Sequence, residues 1–305
     1  MNWFFIAFIG YLCLALTFIL DKFILEKSVP KPVVYTFYST VFSFAIILVF
    51  PFGVEFLNNI FDWFIAIISG LAFGFAMWTQ FLAVKNNEAS HINPFLGGFV
   101  TIATYLLSNH FLNEKLTDSQ IFGIVILIFA CFLLSFEKTK KTKFSYSGFV
   151  WAIVSGLLYA ISHVSAKYLY NIYPFLTALV WSKSSVGILS LFLLFSPTVL
   201  KSFKHQKKTI KQQEAKAKKF SLVIVSSAKI LGLLAVFLIQ YASAIGSVSI
   251  VMAMSGLQYV LMFLLIIIAT KIIPKIFNEY FTKKELVIEW IAIVLSLFAS
   301  IFIII

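Results

Sequence analysis

Two lysines lie where the surrounding sequence makes a charge costly. Lys183 and Lys229 each fall near the middle of a long apolar stretch, and a cation held there costs about 3 kcal/mol even on the gentler insertion scales. A lysine so placed bonds carbonyls and hydroxyls of its own bundle, snorkels toward a polar edge, or serves a buried polar site. The helical neighbours favour the last. Lys183 shares a face with Gly187 and Ser190, and Lys229 with Ser226, Gly232 and Gln240; faces of small and polar residues turn toward protein or a cavity. No Asp or Glu falls in the middle of any apolar stretch. An anionic solute group is therefore a natural partner for these lysines, and a proton-coupling role is open to them.

Other polar side chains within apolar stretches fit such a site. Asn93, Gly97, Thr101, Thr104 and Ser108 recur on one helical face. A later stretch carries Ser249, Met252, Gly256 and Tyr259 in a comparable row. Asn93-Pro94 and Gly97-Gly98 loosen a helix and free carbonyls where a cavity can use them. Tyr159 and His163 are one turn apart, and Trp78, Trp181, Tyr35 and Tyr38 add aromatic surface with polar handles. The candidate substrate-cavity residues are thus Lys183, Lys229, Asn93, Thr101, Tyr159, His163, Trp78, Gln240 and Gly256. Gly70 and Gly74 read as a close helix contact instead.

These residues do not suggest catalysis. There is no H-E-x-x-H, no pair of carboxylates within an apolar stretch and no nucleophile with an evident base, so the chain is not expected to be an enzyme. Cys13 and Cys131 each stand alone, and His91 and His110 lie near opposite ends of one stretch, too far apart to share a metal. No metal and no cofactor are expected. Without a Walker motif, any driving force must come from an ion gradient or from exchange. Every basic side chain counted in the net charge of +12 is a lysine, which removes the guanidinium forks that phosphate and nucleic-acid recognition favour.

The elements that must position these residues follow from hydropathy. With 61% hydrophobic and 12% charged residues over 305 positions, and a mean hydropathy of +0.99, the apolar surface exceeds what an interior can hold and must face lipid. About 20 apolar residues cross a bilayer core. Ten such spans fit, at 2–20, 33–52, 62–83, 92–112, 119–136, 146–166, 174–196, 221–242, 247–270 and 286–305. The first lacks a basic leader and a small-residue cleavage site, so it reads as a span and not as a signal peptide. The expected fold is an all-α integral membrane protein of ten transmembrane helices.

Between these spans the lysines alternate. Odd-numbered loops hold Lys22, Lys27, Lys31, Lys85, the lysines of 138–143 and 201–219, and Lys271, Lys275, Lys283 and Lys284; even-numbered loops hold Lys115 and Lys167. The positive-inside rule then places the odd loops in the cytoplasm and the termini on the far side.

An internal echo organises the spans. Asn113-Glu114-Lys115-Leu116-Thr117 before the fifth recurs as Asn278-Glu279-Tyr280-Phe281-Thr282 before the tenth, both reading N-E-x-x-T. Thr117 and Thr282 are placed to cap the helix that follows, and Glu114 and Glu279 to meet its positive end. Phe50-Pro51 pairs with Ser196-Pro197, the stretch from Gly10 to Lys22 resembles that from Gly156 to Lys167, and Gln80 pairs with Gln240. The order is the same in both halves, which predicts one repeat at 1–137, a basic linker at 138–145 and a second repeat at 146–305 that contains the basic loop 201–219. An odd number of spans per repeat inverts the second copy, a construction carriers use to open a midplane site to each side in turn.

Ten short-looped helices in a five-plus-five order, with an acidic residue and then Thr before helices five and ten, resemble the EamA-like carriers of the drug/metabolite transporter superfamily. The resemblance runs over about the whole chain, although members usually have Gly where this sequence has Asn113 and Asn278. It implies a bacterial plasma-membrane protein that moves a small molecule, such as an amino acid or related amphipathic metabolite, outward across the bilayer. A coupling proton or counter-substrate is implied with it. A second branch of the resemblance implies exchange of organic anions or phosphorylated metabolites. Many bacterial members have cytoplasmic termini, whereas the lysine distribution here favours the opposite orientation.

Overall fold

A computed structural model describes residues 2–27, 31–85, 89–135, 146–202, 215–272 and 283–304. The linker 138–145, most of the loop 201–219, and Glu279 and Thr282 lie outside the described residues. Helix is the regular structure of the described residues, with α1 (Asn2–Lys27), α2 (Pro32–Val41), α3 (Ile60–Lys85), α4 (Ala89–Phe111), α5 (Asp118–Ser135) and α6 (Tyr146–Ile172). The order continues with α7 (Phe175–Leu194), α8 (Ala215–Ile245), α9 (Val248–Ala253), α10 (Ser255–Ile272) and α11 (Lys283–Ile304).

At 1.5 Å per residue the 26 residues of α3 reach about 39 Å, more than a hydrocarbon core of about 30 Å. Among the described residues nine segments are long and apolar enough to cross a membrane. The expected ten differ from these by α4, which has the length at 23 residues but not the hydropathy, because its interior carries Asn93, Thr101, Thr104 and Ser108. The outer face of the bundle is apolar. Along α11, Trp290, Val294, Leu297 and Ile301 are exposed while Ala292, Ser296, Ala299 and Ile303 are buried, the one-sided pattern of a helix with lipid on one flank and protein on the other.

Two spans depart from plain α-helix. The second begins with Pro32 in its first turn, where the missing N–H costs nothing, and after Val41 tightens into a 3-10 run over Phe42–Phe52 that ends on Gly53 at φ +88°. Thr40 folds its hydroxyl back onto the Thr36 carbonyl at 2.8 Å just before this change. The ninth is broken at Met254 between α9 and α10, beside Ser255-Gly256, a pair that readily interrupts a helix. Carbonyls released at the break are taken up by neighbours: the Tyr11 hydroxyl donates to Val251 O at 2.7 Å, and the Thr101 hydroxyl reaches Met252 O at 3.3 Å.

Helix pairing is led by α3 along α6 and by α1 along α8, with α5 on α11, α4 between α5 and α6, and α7 against α3 and the second span. Small residues set the closest seams. A Cβ on Gly70 of α3 would lie 2.6 Å from the backbone of Ser185 and Val186 on α7, and one on Gly74 would lie 2.7 Å from Leu189 Cδ2. Only glycine lets these two backbones approach so closely. At one end of this seam Asp62, 4% exposed, accepts hydroxyls from Tyr173 at 2.7 Å and Tyr168 at 3.2 Å. Trp181 Nε1 donates to Glu55 O at 2.7 Å. Together these bonds tie the 53–59 connection to the α6–α7 turn.

Candidate functional site

A chain of polar side chains runs between the helices. Gln80 on α3 donates from Nε2 to Asn93 Oδ1 on α4 at 3.2 Å and accepts the Tyr159 hydroxyl of α6 on Oε1 at 2.7 Å. One turn along α6, His163 stacks on Tyr159 with ring centroids 6.2 Å apart and 18° between planes. Nδ1 of His163 meets Gln240 Nε2 of α8 at 3.2 Å, and Gln240 Oε1 accepts the Tyr170 hydroxyl of α6 at 2.9 Å. Two glutamines that correspond in the repeat pattern thus do the same work. Each accepts from a tyrosine of α6 and offers its amide N–H to a second polar group.

Lys183 approaches this belt from α7. It is 6% exposed, and its Nζ lies 4.0 Å from the centroid of the Phe73 ring, within the range of a cation–π contact. Phe73 in turn stands edge-on to Tyr159 at 5.4 Å and to His163 at 6.2 Å. The ammonium, the aromatic rings and the amides therefore share one neighbourhood. Among the described residues Lys183 makes no hydrogen bond and no ion pair.

The structure accordingly brings together Lys183, Asn93, Tyr159, His163 and Gln240, and puts the other candidates elsewhere. Lys229 is half-buried against the second span, with Nζ 3.3 Å from Ser39 Oγ and 5.0 Å from the Tyr35 ring. Thr101 is spent on the Gly97 and Met252 carbonyls. Gly256 faces α5, where a Cβ would meet Cys131 Sγ at 3.4 Å. Trp78 stacks on Phe75 at 6.2 Å and packs with Val34, Phe37 and Leu189. Beyond Asn93, the polar row of α4 faces the broken ninth span, since Ser108 Oγ lies 2.6 Å from Ser249 Oγ and Gly97 sits against Tyr259.

Gln80, Phe73 and Tyr170 belong to the belt and are not among the cavity residues expected from the sequence. The correspondence of Gln80 with Gln240 was the signal for the first. For Tyr170 it was the eleven-residue step from Tyr159, three turns along the same face of α6. Nothing in the pattern of phenylalanines marked Phe73.

The N-E-x-x-T boundary forms a second polar cluster at one end of the bundle. Thr117 Oγ1 accepts the Gln120 N–H at 3.3 Å while Gln120 Oε1 accepts the Thr117 N–H at 3.1 Å, a reciprocal capping box at the start of α5. Glu114 reaches away from α5 and accepts the Ser249 hydroxyl at 2.5 Å, beside the start of α9. Asn113 has φ +52°, a left-handed backbone that glycine adopts freely and asparagine tolerates best among the rest. Lys167 donates to the carbonyls of Ala244 at 3.0 Å and Gly246 at 2.8 Å. That closes the C-terminal end of α8, where a cation also meets the negative end of the helix dipole.

The fold has counterparts among solved proteins. 27 solved chains match. One of them, a crystal structure of a protein, superposes with a TM-score of 0.70 at 16% identity over 99% of this chain and 96% of the other. At that identity the likeness speaks for the fold. No curated protein matches the sequence. The model of the EamA-like transporter family matches residues 1–136, the stretch that holds the first N-E-x-x-T boundary and, with Phe73, Gln80 and Asn93, the α3 and α4 side of the belt. In this multi-pass integral membrane protein, residues 1–136 are thus similar to the EamA-like transporter family, which belongs to the drug/metabolite transporter superfamily.

Proposed function

We propose that the chain is a secondary transporter that exports a small amphipathic metabolite, an amino acid or related compound, across a bacterial plasma membrane by alternating access. It does so as ten spans in two inverted five-helix repeats, 1–137 and 146–305, joined by the linker 138–145, and draws on a proton or a counter-substrate. The observation that carries this reading is the polar belt itself. Asn93, Gln80, Tyr159, His163, Gln240 and Tyr170 come from four helices of both halves and meet within apolar spans, where polar side chains are costly and a run of them from several helices suits a solute site.

Helix pairing supports the repeat. Exchanging the halves turns α3 on α6 into α8 on α1, and α4 on α5 into α10 on α11, and all four pairs pack. One seam differs: α3 packs along α7, while the exchanged pair, α8 with the second span, shows no comparable packing among the described residues. Two related seams in different states are what a carrier closed toward one side requires. A second reading, exchange of organic anions or phosphorylated metabolites, is favoured by one observation, the unpaired ammonium of Lys183.

The test is uptake and counterflow of a labelled amino-acid and organic-acid panel in proteoliposomes of the full chain. Saturable flux of at least one solute, lost when Gln80 and Gln240 are both replaced by Leu, is expected. Flux equal to that of protein-free liposomes for every solute would remove the carrier reading.

A further inference from the structure

The structure assigns to Lys183 the seat of a single carboxylate: the belt is built to receive a monoanionic, amphipathic organic acid, with the ligand's charge on the Lys183 ammonium and its apolar body against Phe73 and Tyr159. This rests on the carrier reading and, within it, takes the organic-anion alternative over the amino acid as the substrate class.

Each amide oxygen of the belt already accepts one hydrogen bond: Gln80 Oε1 from Tyr159, Gln240 Oε1 from Tyr170, and Asn93 Oδ1 from Gln80. Because Gln240 accepts Tyr170 on its oxygen, the nitrogen that faces His163 donates. Nδ1 of His163 is then the acceptor and the ring proton sits on Nε2, so the imidazole is neutral and presents a further N–H. Among the described residues the three N–H of Lys183 and Nε2–H of His163 have no partner, while the lone pairs left on the amide and hydroxyl oxygens are neutral acceptors. The one uncompensated charge is the ammonium, so the site favours an anion.

The number of charges narrows the class. Lys183 is 6% exposed, and among the described residues no carboxylate pairs with it, so a bound anion supplies the counter-charge that the fold omits. One ammonium balances one carboxylate. A phosphate monoester would bring a second negative charge with no second cation in the belt, since Lys229 is engaged with Ser39 against the second span. A zwitterion would bring an ammonium that finds no free carboxylate. The walls match an apolar body: the Phe73 ring, held edge-on to Tyr159 at 5.4 Å, already lies beneath the lysine.

The experiment uses the detergent-purified full chain and four probes of similar apolar body: hydrocinnamate, hydrocinnamide, phenylalanine and phenyl phosphate. Binding is read by the shift in melting temperature and by tryptophan quenching, and flux by counterflow in proteoliposomes. Hydrocinnamate is expected to bind best. Lys183→Met, which keeps an unbranched apolar stem and removes the ammonium, is expected to weaken it about 10- to 100-fold, the range of one lost charge-assisted contact. Lys183→Arg is expected to retain it, which separates charge from packing should the Met variant fold poorly. Binding of the amide as tight as that of the acid, or hydrocinnamate binding unchanged in Lys183→Met, overturns the seat. Phenylalanine counterflow that is equal in wild type and Lys183→Met, with no binding of hydrocinnamate, overturns the seat and leaves the carrier standing. Hydrocinnamate binding lost in the Met variant, with no flux in wild type of any probe or of any solute of the amino-acid and organic-acid panel, supports the seat and overturns the carrier.

Discussion

Lys183 and Lys229 look alike in the sequence, each a lone cation inside an apolar span, and the structure gives them opposite surroundings. Lys229 is half-buried and finds a hydroxyl on Ser39 at 3.3 Å with the Tyr35 ring 5.0 Å away. Lys183 is 6% exposed, lies on Phe73, and has no hydrogen bond among the described residues. A buried charge that the protein has already satisfied contributes to packing between helices. One that it has not satisfied is held for something that comes and goes. Burial and partner separate the two roles where span position cannot.

The comparison breaks or holds on paired substitutions. With whichever organic acid the protein moves best, Lys183→Met is expected to lower transport at subsaturating concentration about 10- to 100-fold, and Lys229→Met less than about threefold, because the second loses one contact to a neutral hydroxyl. Initial rates in proteoliposomes decide it. Equal losses in the two variants would erase the distinction between them.

A smaller effect comes from the seam that holds Lys183 in place. α7 lies on α3 because Gly70 admits the backbone of Ser185 and Val186, to which a Cβ would come within 2.6 Å. Gly70→Ala must push backbone against backbone and is expected to cost about 1–3 kcal/mol, the range of overpacking. At Gly232 of α8 the nearest atom to a new Cβ is Thr17 Cγ2 at 3.4 Å. Gly232→Ala is therefore expected to be neutral or to stabilise by up to about 1 kcal/mol, from helix propensity. Denaturation of the two variants in the same detergent measures both. A Gly70 variant as stable as wild type would mean that the α3–α7 seam yields easily and that Lys183 is not firmly held.

The sequence carried much of the bundle because lipid leaves few choices: apolar runs of sufficient length must be helices, and their number and order follow from counting. It missed what hydropathy averages away. The break at Met254 falls inside an apolar run with no proline, the change to 3-10 geometry after Val41 has no residue that announces it, and α4 is polar enough to drop below the composition of a spanning helix. In the site, polarity inside an apolar span nominated Lys183 at mid-span, His163 one turn from Tyr159 and Gln240 as the match of Gln80. The helical rows also nominated Thr101 and Gly256, whose chemistry is spent on helix contacts. A hydroxyl or a glycine inside a span serves packing and cavity equally well, and periodicity has no means to tell them apart. Phe73 escaped notice because its role is positional: it is one of 36 phenylalanines, set apart by lying under the Lys183 ammonium.

Lys167 supplies the third case, a lysine committed to backbone carbonyls inside the bundle. It stands on the lysine-poor side of the chain, where the positive-inside pattern leaves it unexplained, and its Nζ is committed to the carbonyls of Ala244 at 3.0 Å and Gly246 at 2.8 Å. Those carbonyls end α8 and have no intrahelical donor. Lys167→Met is then expected to leave affinity for transported acids unchanged and to lower stability by about 0.5–1 kcal/mol, the scale of a cation at a helix C-terminus. The Arg variant, with donors of similar reach, should recover most of that loss. Melting curves and ligand titrations of the three proteins separate this anchoring role from the one assigned to Lys183. If Lys167→Met instead weakens affinity at unchanged stability, the spare donors of the belt are not where the solute's charge is recognised.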